Sequence, residues 1–332
     1  MQHVGYSAIA TDLSGLMRLR FFRYLAGIVM LIVISLLLFR QSDQLGALLR
    51  LDVNALLILL LLSVFILGVL ALQFRFMVWV FGLHLPFREW FGLTAVNSMF
   101  SYYLPARAGL FVRGAYLKKK YGFPVADYTA LVISTQLISL VVGGLVGTAL
   151  VSAYGAESGR YYSLLLVVFA GVTAVGLLVY LIVPGITAIP CKYIWLRDFL
   201  RRVKGGFAVW QGHSSGLVIF SSFNLLIVTL RAFRLQLCFY ALGIPVDFPE
   251  VLIMQLLLSV AFVVSITPGN LGVQDGLIVL CAGCLGVTKD SALAASLLDR
   301  AVTVSVIIIA GMASSRMLLS GTGLSRPGVT GG

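Results

Sequence analysis

Charged residues are scarce in this sequence, and their scarcity excludes a water-soluble fold. Asp, Glu, Lys and Arg together make up 11% of the 332 residues, whereas hydrophobic residues make up 60% and the mean hydropathy is +1.03. A soluble domain carries about 25% charged residues. The composition therefore predicts a protein that lies within a membrane.

Residues that enzymes commonly use are scarce as well. His3, His84 and His213 lie far apart, so neither a zinc site nor a histidine-dependent nucleophile is predicted. Cys281 and Cys284 form a CxxC motif without a second pair or a nearby histidine, and helix packing explains them better than metal or redox chemistry. The glycine-rich turns lack a Walker-type lysine followed by serine or threonine. We therefore expect no enzymatic activity, no catalytic residues, no cofactor and no metal.

Acidic residues are half as numerous as basic ones, 12 against 24, which leaves a net charge of +12. The basic residues stand in short clusters beside apolar runs, the pattern that orients membrane proteins with their basic loops in the cytoplasm. We therefore expect no nucleic-acid partner. The clusters at 18–23, 75–88, 107–120 and 192–204 predict a multi-pass protein of the cell (cytoplasmic) membrane with both termini in the cytoplasm.

Six apolar runs are long enough to approach the roughly 20 residues that a spanning helix needs. They lie at 24–40, 54–74, 124–151, 161–183, 215–240 and 290–315. Two further apolar stretches, 88–104 and 250–267, each run into a Pro/Gly break and then into another short helical stretch, which is typical of re-entrant hairpins. The predicted fold is all-α, a polytopic membrane bundle of about six spanning helices plus two opposed re-entrant helical hairpins.

The spacing of marker residues recurs in the two halves of the chain. Arg75 stands 11 positions before Pro86 and Arg234 stands 11 before Pro245; similarly, Gly122 precedes Gln136, and Gly286 precedes Arg300, by 14. Three spans per half would turn the second unit upside down. We expect a cytoplasmic segment at 1–23, one integral membrane domain at 24–316 with inverted repeats at about 24–151 and 161–316, and a flexible cytoplasmic tail at 317–332.

The first break carries positive charge at the predicted hairpin tip. Arg107 and Arg113 lie six positions apart, so both guanidinium groups are candidates to bind one phosphate. The alternative is that these cations are orientation signals that reach lipid headgroups, which is the better interpretation of the lysines at 118–120. Asn97, Pro105 and Gly109 complete the predicted substrate-binding residues of this break.

The second break carries an acid. Asp275 follows Pro268, Gly269 and Gly272, and an intramembrane carboxylate is costly enough to suggest a function, with a charge at a helix N-terminus as the alternative. Asp299 and Arg300 lie inside the last span; Arg300 is predicted either to pair with Asp275 or to reach a lipid phosphate, and a purely structural ion pair is equally possible. Arg75, Arg231 and Arg234 are predicted to reach the membrane interface.

These motifs resemble the integral membrane domain of the lysylphosphatidylglycerol synthase/flippase family, over about residues 20–316. The residues that carry the resemblance are Asn97, Leu104-Pro105-Ala106-Arg107-Ala108-Gly109, Arg113, Pro268-Gly269, Gly272, Asp275, Gly286-Val287 and Arg300. The family usually has Glu at Asp275 and commonly Glu-Arg at Thr135-Gln136, so no role is carried over for that last pair. The family's aminoacyl-transferring domain is not part of the resemblance, which therefore implies lipid translocation and not aminoacylation.

The predicted function is that of a flippase-like transporter. A lipid headgroup (phospholipid, aminoacyl-lipid or polyprenyl/glycolipid) would cross through a polar groove between the two hairpins, with Arg107, Arg113 and Arg300 holding phosphate and Asp275 balancing their charge. The expected partners are membrane lipids with an anionic or phosphate-bearing headgroup. The alternative is a non-transporting membrane partner or regulator of a separate lipid-modifying or glycosyltransferase enzyme.

Overall fold

The computed structural model describes residues 52–103, 108–154, 160–182, 204–210, 212–263, 268–270, 272–284 and 287–321. Every regular element within these ranges is helical. The predicted amino-terminal segment at 1–23 and the predicted first span at 24–40 lie outside the described residues, as do Pro105 and Arg107.

The helices follow one another in a simple order, with a short helical segment at 204–210 between α5 and α6. They are α1 (Val53–Val80), α2 (Phe87–Tyr103), α3 (Ala108–Tyr121), α4 (Val125–Tyr154), α5 (Arg160–Ile182), α6 (Ser214–Ala241), α7 (Phe248–Val263), a 3-10 turn (Pro268–Asn270), α8 (Val273–Cys284) and α9 (Lys289–Gly321).

Five helical segments are long and apolar enough to cross a membrane: Val53–Val80, Val125–Tyr154, Tyr162–Val179, Ser214–Ala241 and Lys289–Leu318. They coincide with the predicted spans at 54–74, 124–151, 161–183, 215–240 and 290–315, so these five predictions are confirmed. The last helix, α9, ends at Gly321, and residues 317–321 of the predicted tail are therefore helical.

Helices α2 and α3, the first helix pair, fold back on each other. Near the start of α2, the Glu89 carboxylate accepts hydrogen bonds from the Lys120 Nζ atom at 2.5 Å and the Tyr121 hydroxyl at 2.6 Å. Both donors lie at the end of α3, so the two outer ends of the pair are joined. At the break between the helices, a Cβ on Gly109 would overlap the carbonyl oxygen of Asn97, and only glycine allows this close approach.

The same turn precedes both helix pairs. Gly82 after α1 and Gly243 after α6 adopt positive φ angles of 80° and 73°, in the left-handed region that glycine enters without penalty. The Leu83 N–H then bonds back to the Val78 carbonyl at 2.9 Å, and Ile244 makes the matching bond at 3.0 Å. This is the Schellman helix ending. A long helix, this turn, a broken helix pair and a second long helix therefore occur twice, with α7 and α8 as the second helix pair.

The last span holds the first helix pair in place. Helix α2 lies along α9, and a Cβ on Gly311 of α9 would stand 2.7 Å from the Met99 Cβ atom, so the two backbones approach closely. Helix α9 also packs on α8 and α6. Helix α9 therefore contacts both helix pairs and α6.

Candidate functional site

The end of α2 meets the second helix break in the structure. Tyr102 lies at the end of α2, and a Cβ on Gly269 in the second break would stand 2.9 Å from the Tyr102 Cδ1 atom. Gly269 has a φ of 56° and Asn270 a φ of 55°, so two successive residues take the left-handed conformation. This tight turn exposes the Gly269 carbonyl to a neighbouring donor on α9. We call the region around Tyr102 and Gly269 the junction.

Arg300 of α9 is that donor, and it is paired with Asp275. Its Nη2 atom lies 2.9 and 3.1 Å from the two carboxylate oxygens, and its Nη1 donates to the Gly269 carbonyl at 3.2 Å. Asp275 also accepts from the Ser296 hydroxyl at 2.7 Å and from the Gly272 N–H at 3.1 Å. Of the two outcomes expected for Arg300, the structure has the ion pair. The carboxylate also caps the N-terminus of α8, so the helix-terminus interpretation of Asp275 is compatible with the pairing.

A second buried ion pair lies on the adjacent face of α9. The Arg234 Nε and Nη2 atoms donate to the two Asp299 oxygens at 2.7 and 3.1 Å, and Nη1 donates to the Ser63 hydroxyl at 3.2 Å. These bonds connect α1, α6 and α9. The expectation that Arg234 reaches the membrane interface is wrong, because the Asp299 carboxylate holds it inside the bundle, where its exposure is 7%.

Some buried polar atoms at the junction have no hydrogen-bond partner. They are the Asn270 Oδ1 and Arg300 Nε atoms, both in residues less than 4% exposed. Buried polar atoms are rarely left without a partner unless water, an ion or a ligand supplies one. The junction therefore retains hydrogen-bonding capacity that its own side chains do not use.

The first helix pair buries an arginine whose surroundings differ from those of Arg234 and Arg300. Arg113 of α3 is 7% exposed, its guanidinium carbon lies 3.7 Å from the centroid of the Phe74 ring, and its Nη2 donates to the Thr94 hydroxyl at 3.4 Å. No carboxylate within the described ranges forms an ion pair with it. Arg113 is therefore held by an aromatic ring and a hydroxyl instead of by a negative charge.

The predicted site residues thus fall into separate places. The structure brings Gly269, Gly272, Asp275 and Arg300 together, with Pro268 opening the 3-10 turn beside them. The first helix pair contains Asn97, Gly109 and Arg113. Asp299 forms its ion pair with Arg234 and not with a junction residue. Outside the described ranges lie Pro105 and Arg107. Sequence reasoning missed Ser296, Ser63, Thr94 and Tyr102; a polar residue one helical turn before Arg300 was the available signal for Ser296.

The groups at the junction have the chemistry to bind other ions. A guanidinium group can bind either a phosphate or a carboxylate in a forked geometry, and the Asp275 side chain retains 14% exposure. A phosphate could replace Asp275 on Arg300, and a cationic group could replace Arg300 on Asp275. Within the described ranges, no group of three or more His, Cys, Asp or Glu side chains is placed to hold a metal ion.

A family model for the "lysylphosphatidylglycerol synthase TM region" matches residues 24–311. No curated protein matches the chain. The match includes both helix breaks and all five membrane-length helices apart from the last residues of α9, which agrees with the motifs noted above. Because the match extends over most of the chain, the protein is a membrane protein and belongs to the lysylphosphatidylglycerol synthase TM-region family.

Proposed function

We propose that this protein is a flippase-like lipid transporter, in which the junction is the point where a headgroup crosses between two broken helix pairs. The observation that carries this proposal is the contact of Tyr102 with Gly269 beside the buried Arg300–Asp275 pair. Broken helices that meet inside a membrane bundle are the usual place for a transporter's binding site, because their free backbone groups can bind a substrate.

The ion pair at the junction gives the site its chemistry. Charged residues within a membrane bundle commonly mark a substrate or ion pathway. The headgroup phosphate would compete with Asp275 for Arg300, while Asp275 would receive the cationic part of a zwitterionic or aminoacylated headgroup. The acyl tails would stay in the bilayer, against the apolar outer faces of the spans. This mechanism requires the pair to open during transport.

The proposal includes a topology. The two helix pairs enter from opposite sides as re-entrant hairpins, the repeats are inverted, and both termini lie on the cytoplasmic side of the cell membrane. The exposed lysines Lys118 and Lys119 near the end of α3 support a cytoplasmic position for the first pair, because basic residues are retained on that side. Thiol labelling of cysteines placed at 118 and 248 should report opposite sides, and same-side labelling would contradict the inverted arrangement.

The test is lipid movement in liposomes that contain the purified protein and head-labelled phospholipid, with leaflet-selective quenching. Asp275→Asn and Arg300→Gln should each slow movement by at least tenfold. Matched controls lie on α9, the helix of Arg300: Asp290→Asn and Arg316→Gln change exposed residues and should leave the rate unchanged. Each variant is first checked for folding by its thermal unfolding temperature.

The liposome experiment can reject the transport proposal. If the folded wild-type protein moves no labelled phospholipid, aminoacyl-lipid or polyprenyl-linked lipid, the transport proposal is rejected. Co-purification of a lipid-modifying or glycosyl-transferring enzyme that still binds Asp275→Asn would then favour the alternative, a non-transporting membrane partner of that enzyme.

A further inference from the structure

The buried arginines of the described ranges differ in how their charge is balanced. Arg234 faces Asp299 and Arg300 faces Asp275, each through charged hydrogen bonds of 2.7–3.1 Å. Arg113 is equally buried, and the described carboxylates leave it without an ion pair. A buried guanidinium is costly to desolvate unless an anion compensates it. Arg113 of the first helix pair is therefore a buried positive charge that an anionic ligand would neutralise. The charge of Arg300, beside the second helix pair, is already neutralised by Asp275.

The side chains around Arg113 hold it in a fixed position. Phe74 covers one face of the guanidinium plane at 3.7 Å, which leaves the N–H edge as the direction of approach for an anion. The Thr94 hydroxyl donates to the Trp90 carbonyl at 2.9 Å and accepts from Arg113 Nη2. The arginine is thus oriented by groups that carry no charge and do not neutralise it.

Two polar groups at this arginine lack a well-formed hydrogen bond. The Nε atom of Arg113 and the hydroxyl of Tyr128 are both buried and make no hydrogen bond of good geometry, but the two side chains lie within hydrogen-bonding reach of each other, and the Tyr128 O–H still has no acceptor of its own. Tyr128 is 3% exposed and packs against the backbone of α3, where a Cβ on Gly114 would stand 2.8 Å from its Cδ1 atom. A positive fork and a phenolic O–H suit an oxyanion with several acceptor oxygens.

The position of Arg113 places it on a route to the junction. Thr94 lies between Glu89, at the joined outer ends of the first helix pair, and Tyr102 at the junction. At 1.5 Å per helical residue, Thr94 stands about 8 Å from Glu89 and about 12 Å from Tyr102 along α2. An anion at Arg113 would therefore lie between the basic outer end of the pair and the junction.

We propose that Arg113 and Tyr128, with Thr94 and Phe74 orienting the arginine, form an oxyanion site for a phosphate group. This deepens the proposed function on which it rests, because it gives the headgroup phosphate a binding site in the first helix pair before that phosphate competes with Asp275 for Arg300 at the junction. The ligand chemistry is shared by a lipid phosphate and a free phosphate ion.

The test measures binding to the full-length protein in detergent by titration calorimetry with three probes. These are a short-chain phosphatidylglycerol, inorganic phosphate, and dioctanoylglycerol, which has acyl chains and no phosphate. Tighter binding of phosphatidylglycerol than of inorganic phosphate identifies a lipid headgroup, and equal or tighter binding of inorganic phosphate identifies a free anion. Either result supports the site if the variants below weaken it.

The variants separate binding from folding. Arg113→Gln should raise the Kd of the bound phosphate probe at least tenfold, and Tyr128→Phe, which removes only the hydroxyl, should raise it about threefold to tenfold. Arg113→Lys keeps the charge without the fork and should give an intermediate loss. Arg75→Gln changes an exposed arginine of α1 and should have no effect.

Several results would overturn the site: no binding of either phosphate probe, equal binding of dioctanoylglycerol, or an unchanged Kd in folded Arg113→Lys and Tyr128→Phe proteins. These results differ from failure of the proposed function. A wild-type protein that moves lipid, with a phosphate Kd that Arg113→Gln leaves unchanged, would reject the site and retain the flippase. Phosphate binding that depends on Arg113 in a protein that moves no lipid would retain the site and reject the flippase.

Discussion

Tyr102 and Gly269, which are far apart in the sequence, are in van der Waals contact at the junction, so the end of α2 and the second helix break limit each other's position. Gly269 takes a positive φ of 56° and has no room for a side chain, because a Cβ would stand 2.9 Å from the Tyr102 ring. Movement of one helix pair must therefore displace the other pair, or separate from it. This contact is the physical basis for coupling the two breaks.

Gly269→Ala should be the most damaging of three glycine substitutions in this region. The left-handed conformation costs an alanine about 1–2 kcal/mol, and the overlap with Tyr102 adds to that cost. Gly272→Ala, with a φ of 81° and open space around it, should show the conformational cost alone. Gly276→Ala lies in the helix α8 with open space and should stabilise by about 0.5–1 kcal/mol. Thermal unfolding in one detergent ranks the three, and equal losses for Gly269→Ala and Gly272→Ala would contradict the contact.

The Arg234–Asp299 pair should contribute to folding and not to lipid specificity. Arg234→Met leaves the buried Asp299 carboxylate without its partner, which should cost about 3–5 kcal/mol. The double variant Arg234→Met, Asp299→Leu removes both charges and should recover most of that loss. Chemical denaturation of the two proteins in the same detergent measures the difference. A double variant as unstable as the single one would show that the bond to Ser63, rather than the ion pair, dominates.

The spans and breaks were predictable from the sequence, but the partners of the charged residues were not. Apolar run length gives the five described spans, and the prolines and glycines give the breaks. Asp299 and Arg300 are adjacent, and successive residues of a helix point about 100° apart, so the sequence did indicate that they face different neighbours. It does not say which helices those neighbours are, because periodicity defines a face and not the helix packed against it. Arg234, 65 positions away, was therefore assigned to the interface.

The bonds from Lys120 and Tyr121 to Glu89, which join the outer ends of the first helix pair, should weaken in alkaline solution. The hydrogen bond to Glu89 raises the pKa of Lys120, and burial together with the bond to Glu89 raises the pKa of Tyr121. A group whose pKa is raised on folding stabilises the fold below its unfolded pKa and loses that contribution as the pH rises through the folded value. The ordinary values are about 10 for tyrosine and about 10.4 for lysine, so the loss should begin near pH 10.

Thermal unfolding between pH 8 and pH 11 measures this effect. Glu89→Gln removes the negative charge and one of the two acceptor oxygens, so its unfolding temperature should depend less on pH above pH 10 than that of the wild type. Lys119→Gln removes a neighbouring exposed lysine and should retain the wild-type dependence. If the unfolding temperature falls equally above pH 10 in all three proteins, the bonds to Glu89 do not cause the loss of stability in alkaline solution.

The packing of α4 on α5 should depend on glycines that bring the two backbones together. A Cβ on Gly144 would overlap the Thr173 hydroxyl and stand 3.1 Å from the Phe169 carbonyl oxygen, so Gly144→Ala should destabilise the protein by about 1–3 kcal/mol through overpacking. Gly171 lies on α5 with nothing within 4 Å, and Gly171→Ala should be neutral or slightly stabilising, as expected for alanine in a helix. Helices in a bilayer associate largely through close van der Waals contact, which small residues at the interface allow. Unfolding measurements on the two variants in one detergent test the argument, and a stabilising Gly144→Ala would show that α4 and α5 do not approach each other at this point.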